Sequence, residues 1–442
     1  MPAKVIRNSL VACLFLSLAV LLPAQVKVFT DFTLIDGTGH PAATHSAMIL
    51  NNGRIEWVGP IAQLKAPASS QIFDLKGKYV IPGLIDDHVH LGNVIGLKQD
   101  STYFTRQNVE KDLRTYASYG VTTVLSMGTD KDLIFKMRAE QRATGRPKEA
   151  RIFTAGQGMV FKNGYGGIAG TNPQLASDAE AREAVDAQAA KRVDIIKLWM
   201  DDDLGTFPKR MPYSMAHAIV DEAHKDHLRA VAHIFYLKDA QQLANFGIDG
   251  FAHSVRDKPV DQSLIQSMKA HGTWQMAATL SREASMVVYG GRAPYLDDPF
   301  FTRSVSPEVI KTLGSASYQQ SFRSNPHFNQ FPKILASAEK NLKTLADAGI
   351  PYGCGTDSGP PGRFPGYFLH WEMELMVDAG LTPMQALTAC TRNNADFLHA
   401  KGLGTIVPGK WGDFVVLDKN PLVDIKNTRT IHDVYIAGNR FR

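Results

Sequence analysis

The stretch IPGLIDDHVHLG, residues 81–92, ends an apolar run on two histidines. On a β-strand, side chains i and i+2 point to the same side. His88 and His90 can therefore face one metal ion, and imidazole suits zinc and similar divalent metals. An H-x-H pair is a weak signal by itself. Its weight depends on whether further ligands stand at equivalent places along the chain.

Outward from this stretch the chain alternates strand-like and helix-like segments. Apolar runs of strand length occur at 121–126, 151–155, 193–199, 228–234, 249–253, 273–278 and 350–356. With the run ending at His90 they number eight. Helical stretches at 131–143, 179–191, 213–226 and 333–348 lie between them. In the last, Ile334, Leu335, Ala338, Leu342, Leu345 and Ala346 share one face. Repeated strand–helix units predict an α/β fold, a (β/α)₈ TIM barrel over 81–400. The flanks differ. Val26–Phe32, Ser46–Leu50, Ile55–Val58 and Gln71–Leu75 alternate with turn signals such as Asn52-Gly53. Phe414–Leu417 and Val434–Ala437 have the same texture. Residues 25–80 and 401–442 are thus expected to build one β-sandwich from both chain ends.

In a barrel of this kind, sites gather at the C-terminal ends of the strands. Four further runs end there in polar residues: VDIIK in Lys197, LRAVAH in His233, IDGFAH in His253, and IPYGCGTD in Asp357. Six metal-competent side chains at one rim would be a poor coincidence for a structural core. Lys197 stands apart, because an ammonium has no lone pair to give a metal. As a neutral amine it could add carbon dioxide and become a carbamate whose two oxygens bridge two cations. The alternative is a lysine paired with Asp201 or Asp202.

These motifs, with GTDSG at 355–359, LTPMQALTACTRNNADFL at 381–398 and GLGTIVPGKWGDFVVLDKNPLVDI at 402–425, resemble the amidohydrolase superfamily. The branch is the imidazolonepropionase-like one, related to prolidase-type metal-dependent dipeptidases. The resemblance covers nearly all of the chain after its leader. It implies that His88, His90 and Asp357 bind a first divalent metal. Carboxylated Lys197 would bridge to a second, held by His233 and His253, with zinc the favoured ion. A hydroxide between them would attack a C–N bond of an amide, peptide or cyclic amide, and Asp357 would move the proton to the leaving nitrogen. Three alternatives remain open. They are a single-metal deaminase or cyclic-amide hydrolase, a carboxylic ester or lactone hydrolase, and a barrel that binds without catalysis.

The surroundings of the strand-six histidine, FAHSVRD, depart from the Glu-His-Gly of dipeptidase-like relatives. Arg256 there, and Tyr236 after His233, are candidates for a substrate carboxylate or oxyanion. Packing roles, with Arg256 paired to Asp257 or Asp249, are the alternative. The glycine-rich GQGMVFKNGYGGIAG, 156–170, lacks the order of a P-loop. It reads as a rim loop with Tyr165 turned toward substrate. Residues 280–332 are expected to form a lid, from their length and from Tyr289, Tyr295, Phe300, Phe301, Tyr318, Phe322 and Phe328. His217, His224, His227, His271, His370, His399 and His432 have no ligand-like spacing.

Lys4 and Arg7, the apolar run Leu10–Leu22 and Pro23-Ala24-Gln25 read as a secretory signal over 1–24. A secreted or periplasmic chain is expected, with no stable membrane insertion. The formal charge of +5, near +3 without the two leader cations, argues against a nucleic-acid partner. The expected partner is a small-molecule substrate; relatives often assemble, which leaves a homo-oligomer open. Outside the leader's Cys13, only Cys354 and Cys390 occur. Two thiols make no disulfide framework, so both are expected as small buried hydrophobes.

Overall fold

The computed structural model describes residues 26–441; the leader expected at 1–24 lies outside the described residues. The fold is mixed α/β. Strands Leu84–Val89, Val121–Ser126 and Arg151–Thr154 pair in parallel, as do Ile196–Trp199, Ala230–His233 and Gly250–Phe251. The two arcs meet where the Asp194 amide donates to the Thr154 carbonyl at 2.8 Å and where Met159 bridges Leu198. On the far side, bridges run from Gly250 to Trp274, from Gln275 to Tyr352, and from Ser358 back to Val89. All eight expected segments are therefore present and parallel. The last two join by single bridges, not by continuous ladders. A physical reason is visible in the backbone: Thr279 and Asp357, at their ends, take φ of 56° and 55°, which regular strands cannot adopt.

Ile85, Leu125, Ala155, Ile195, Val231, Ala252 and Met276 fall in one buried cluster to which seven of the segments contribute. Helices cover the outside. Phe331–Asp347 buries Ile334, Ala338, Leu342 and Leu345 at helical spacing, each large aliphatic contributing ~1.5–3 kcal/mol. Asp178–Ala190 starts at Ser177, whose hydroxyl accepts from the Glu180 amide, satisfying one of the free donors of its first turn.

Both chain ends meet, as expected. Phe414–Leu417 pairs antiparallel with Tyr79–Pro82, and the path continues through Lys27–Leu34, Ala43–Asn51 and Arg54–Pro60. Pairing follows one eight-stranded sheet, not two separate sheets. Asn52 and Gly53 take φ of 51° and 76°, the geometry of the tight hairpin turn that Asn-Gly favours.

Two expectations are corrected. Residues 280–332 are not an open lid. They fold into short helices, including Leu280–Val288, Pro307–Leu313 and Ala316–Arg323. Tyr289, Tyr295 and Phe301 pack with Tyr119, Tyr367 and Phe368 in a satellite core. Cys354 and Cys390 are not independent hydrophobes: they form a disulfide, with Cα atoms 4.8 Å apart. Asn394 reinforces the same junction. Its side-chain oxygen accepts from the Cys354 amide, and its nitrogen donates to the carbonyls of Cys354 and Ile85. Among the described residues no helix is long and apolar enough to cross a membrane.

Candidate metal centre

His88, His90 and Asp357 come together as a compact trio. One ligand atom from each lies within 4.8 Å of the others. Asp357 Oδ1 is 3.0 Å from His90 Nε2 and 3.6 Å from His88 Nε2. The opposite ring nitrogens are anchored: His88 Nδ1 on the Ala252 carbonyl at 3.0 Å, His90 Nδ1 on the Thr129 hydroxyl at 2.9 Å. Such outer bonds fix ring orientation and tautomer in metal sites. The turn after Asp357 is built for close approach. Gly359 has φ of 116°, and a Cβ there would stand 1.9 Å from the His90 carbonyl oxygen.

The remaining imidazoles continue the same wall. His253 lies with its ring centroid 4.8 Å from that of His88 and 4.1 Å from that of His233. His253 Nδ1 bonds the Thr279 hydroxyl at 2.7 Å, while its buried Nε2 has no hydrogen-bond partner. His233 is reversed: its Nε2 faces Asp201 Oδ2 at 3.2 Å. Asp201 is itself held, because its Oδ1 accepts from the Asp203 amide. Burial would raise the Asp201 carboxyl, but His233 and Arg256 hold it down at about 2. Sequence reasoning offered Asp201 only as a partner for Lys197, and its bond to His233 went unseen. Its place four residues past Lys197 in WMDDD gave no pattern that singled it out.

Lys197 is fully buried and its Nζ has no hydrogen-bond partner. Burial lowers the basicity of His88, His90, His233 and His253, and the charge of Lys197 lowers it further. Burial lowers the pKa of Lys197 itself to about 7, against the pull of Asp357 and Asp201. The pairing with Asp201 or Asp202 that was the alternative does not form as a hydrogen bond. Four imidazoles and Asp357 thus share one wall, and Lys197 and His253 leave buried polar atoms without partners. A buried polar group in that state is costly unless something binds it. Imidazole nitrogens, a carboxylate and an amine that carbon dioxide can convert to an anion are the donor set that divalent zinc-like metals take.

The cavity over this cluster is lined by His88, His90, His233, His253 and Asp357 together with Tyr165, Trp199 and Arg363. Tyr165, expected to face substrate, lies on the cavity wall with its ring 5.0 Å from that of His233. Tyr236 does not line it; its hydroxyl donates to Asp202 at 2.8 Å. Arg256 is buried, donating to Glu283 at 2.5 Å and to the Ile234 carbonyl at 2.6 Å, while its Nε has no hydrogen-bond partner. Two guanidiniums that sequence reasoning missed lie against Asp357 instead. Arg282 Nε is 3.0 Å from its Oδ2, and Arg363 bonds the same oxygen. Burial pushes the Asp357 carboxyl up, but Arg363, His88 and His90 outweigh it and hold it well below the usual range. Three of the other histidines have clear structural partners: His224 meets Asp249, His217 stacks on Phe246, and His370 sits between Thr428 and the Tyr119 carbonyl.

A mixed α/β chain with such a cluster at the ends of parallel segments has the make-up of a metal-dependent hydrolase. The amidohydrolase family matches residues 79–441, and the chain belongs to that family. It is a metal-dependent hydrolase acting on C–N bonds. It is 23% identical over 414 residues to an imidazolonepropionase of Deinococcus deserti, covering 89% of this chain and 92% of the relative. The fold is similar to that of a Xaa-Pro dipeptidase, with a TM-score of 0.73 and 18% identity over 94% of this chain and 99% of the other. It is likewise similar to molinate hydrolase, with a TM-score of 0.71 and 21% identity over 95% of each chain.

Proposed function

We propose that this chain hydrolyses an amide bond of a small molecule (a dipeptide, an N-acyl amino acid or a cyclic amide). His88, His90 and Asp357 would hold one divalent metal, zinc favoured. His233 and His253 would hold a second, with Lys197 joining the two as a carbamate. The observation that carries this reading is the shared wall of four imidazoles and Asp357 from four segments, together with the buried amine of Lys197 left without a partner. An amine with a pKa near 7 is neutral often enough near pH 7 to add carbon dioxide.

Bound metals would supply Lewis acidity and lower the pKa of water. The chain's own residues do the rest. Asp357 is ionised, is oriented by Arg363, and faces the cavity, so it can accept a proton from the attacking water at a carboxylate oxygen and deliver it to the leaving nitrogen. Tyr165 and Trp199 give the cavity an aromatic wall against which an apolar substituent can pack. The eight parallel segments would act as a TIM barrel, which brings residues far apart in sequence to one mouth. The sheet from the chain ends would be the small appendage beside the 81–400 domain.

A location outside the cytoplasm belongs to the same proposal. The leader-like run through Leu22 supports it, as does the Cys354–Cys390 disulfide, since such bonds persist in oxidising compartments. The tight His88–His90–Asp357 trio favours one second reading, a single metal at that trio alone.

The test is turnover by the chain lacking residues 1–24, loaded with zinc, on paired amides and esters spanning dipeptides, N-acyl amino acids and cyclic amides. Hydrolysis of at least one amide class is expected. Esters cleaved with every amide left intact would overturn the proposal.

A further inference from the structure

The glycine-rich run 156–170 lies against the strand that carries Lys197, and its composition has a physical reason there. In the strand Ile196–Trp199, Lys197 and Trp199 are two apart and leave the same face. The indole stands beside the amine, with Lys197 Nζ 5.3 Å from the ring centroid. Two glycines from neighbouring segments bound the same slot. A Cβ on Gly128 would stand 3.0 Å from Lys197 Cγ and 3.0 Å from the indole. A Cβ on Gly158 would stand 3.1 Å from Lys197 Cγ and 2.5 Å from the indole, and one on Gly166 would overlap the same ring. Only glycine lets backbone come this close.

One side chain ties the slot together. Asn172 Nδ2 donates to the Gly128 carbonyl at 2.6 Å and to the Gly158 carbonyl at 2.9 Å, and Asn172 Oδ1 accepts from the Ile168 amide at 2.9 Å. The Gly158 amide donates to the same Gly128 carbonyl at 2.8 Å. Both hydrogens of the Asn172 amide are therefore spent on the two glycines that flank the lysine stem. Lys197 Nζ has no hydrogen-bond partner among the described residues. The walls of this slot, and no polar bond, set where the amine stands.

We propose that Asn172 is a positioning residue. By fixing Gly128 and Gly158 it sets the width of the slot that holds the Lys197 stem against Trp199, and so places the amine for its carbamate. This role rests on the carbamate reading of Lys197. Its magnitude follows from the geometry. Carbon atoms in ordinary contact stand about 3.5–4.0 Å apart, so a methyl on Gly158 has to be cleared by about 1 Å. A misplacement of about 1 Å in a catalytic constellation can cost ~100-fold in rate.

The experiment compares the zinc-loaded chain with Asn172→Asp, Gly158→Ala and the double variant Gly158→Ala/Trp199→Phe. Asn172→Asp keeps the shape and the acceptor for Ile168 but removes both donors. Gly158 does not have a positive φ, so alanine there tests the width of the slot and not the backbone. Phenylalanine lacks the outer indole ring, whose Cζ3 and Cη2 are the atoms that the methyl would meet. The readouts are the carbamate carbon signal in NMR after loading with carbon-13 bicarbonate, zinc content, Tm, and kcat with KM. Asn172→Asp and Gly158→Ala should each lose at least half of the carbamate signal and zinc, with kcat down about 100-fold and KM little changed. The double variant should regain most of the signal and the zinc. Carbamate and zinc at native levels in both single variants would overturn the positioning role. So would a loss that follows Tm alone and that Trp199→Phe does not relieve. A native chain without carbamate would sink the reading of Lys197, and a crystal structure of Gly158→Ala then judges the slot by itself. Lys197 Nζ displaced by about 1 Å upholds the slot, and Nζ unmoved overturns it.

Discussion

Cutting the Cys354–Cys390 bond should destabilise the chain by an amount that follows from its span. The bond closes a loop with a sequence separation of 36. Loop-closure entropy for that length corresponds to about 4 kcal/mol at 25 °C on the chain-entropy view. For 442 residues, where unfolding entropy grows with length, this translates to a fall in Tm of about 4–5 °C. Reduction is the cleaner perturbation, because it opens the bond and leaves both sulfurs in place. The Cys354→Ala/Cys390→Ala variant adds a small packing loss. The effect should reach the metal centre too, since Cys354 lies three residues before Asp357 and its amide and carbonyl are held by Asn394. The assay is thermal unfolding of the chain lacking residues 1–24, with and without a phosphine reductant, beside a thiol count in denaturant. Without reductant the count should be zero. Two titratable thiols in the untreated chain, or a Tm that reduction leaves within a degree, would refute the reasoning.

Asp201→Asn should weaken metal binding at the His233–His253 side by about 10–100-fold, the usual loss when the carboxylate behind a ligating histidine is removed; competition with a chromophoric chelator reads it, and unchanged affinity would leave Asp201 no positioning role. Stability should fall on acidification because of His370. Burial holds its folded pKa at about 3, well below the 6.5 of an unburied imidazole, so below 6.5 the unfolded chain binds the proton and the folded chain does not. That group alone should cost about 2.5 kcal/mol between pH 7 and pH 4.5. Urea unfolding at both pH values checks it, and His370→Asn should show a shallower loss than the native chain.

Much of this architecture was legible because burial writes itself into the sequence as apolar runs. The segments ending at Lys197, His233 and His253 were readable since each run stops abruptly on a polar side chain. Arg282, Arg363 and the role of Asp201 were not. Asp201 and Arg363 sit in loops and Arg282 in the first turn of a short helix, where neither period nor flanking residues distinguish a cavity wall from a solvated surface. The disulfide escaped for a related reason: its two cysteines lie in different elements, and only the fold sets 4.8 Å between their Cα atoms. The aromatics of 280–332 misled because a packed satellite core and a substrate-facing lid have the same composition. The weak pairing of the last two segments depends on the positive φ of Thr279 and Asp357, residue types that do not announce that conformation.

The measurement that bears most directly on the account is the metal content of the chain lacking residues 1–24, purified with zinc and bicarbonate, beside that of Lys197→Ala. Two ions per native chain, falling to one or none in the variant, is the predicted result. A native chain that takes up no divalent metal, or one whose metal content is indifferent to the loss of Lys197, would contradict it.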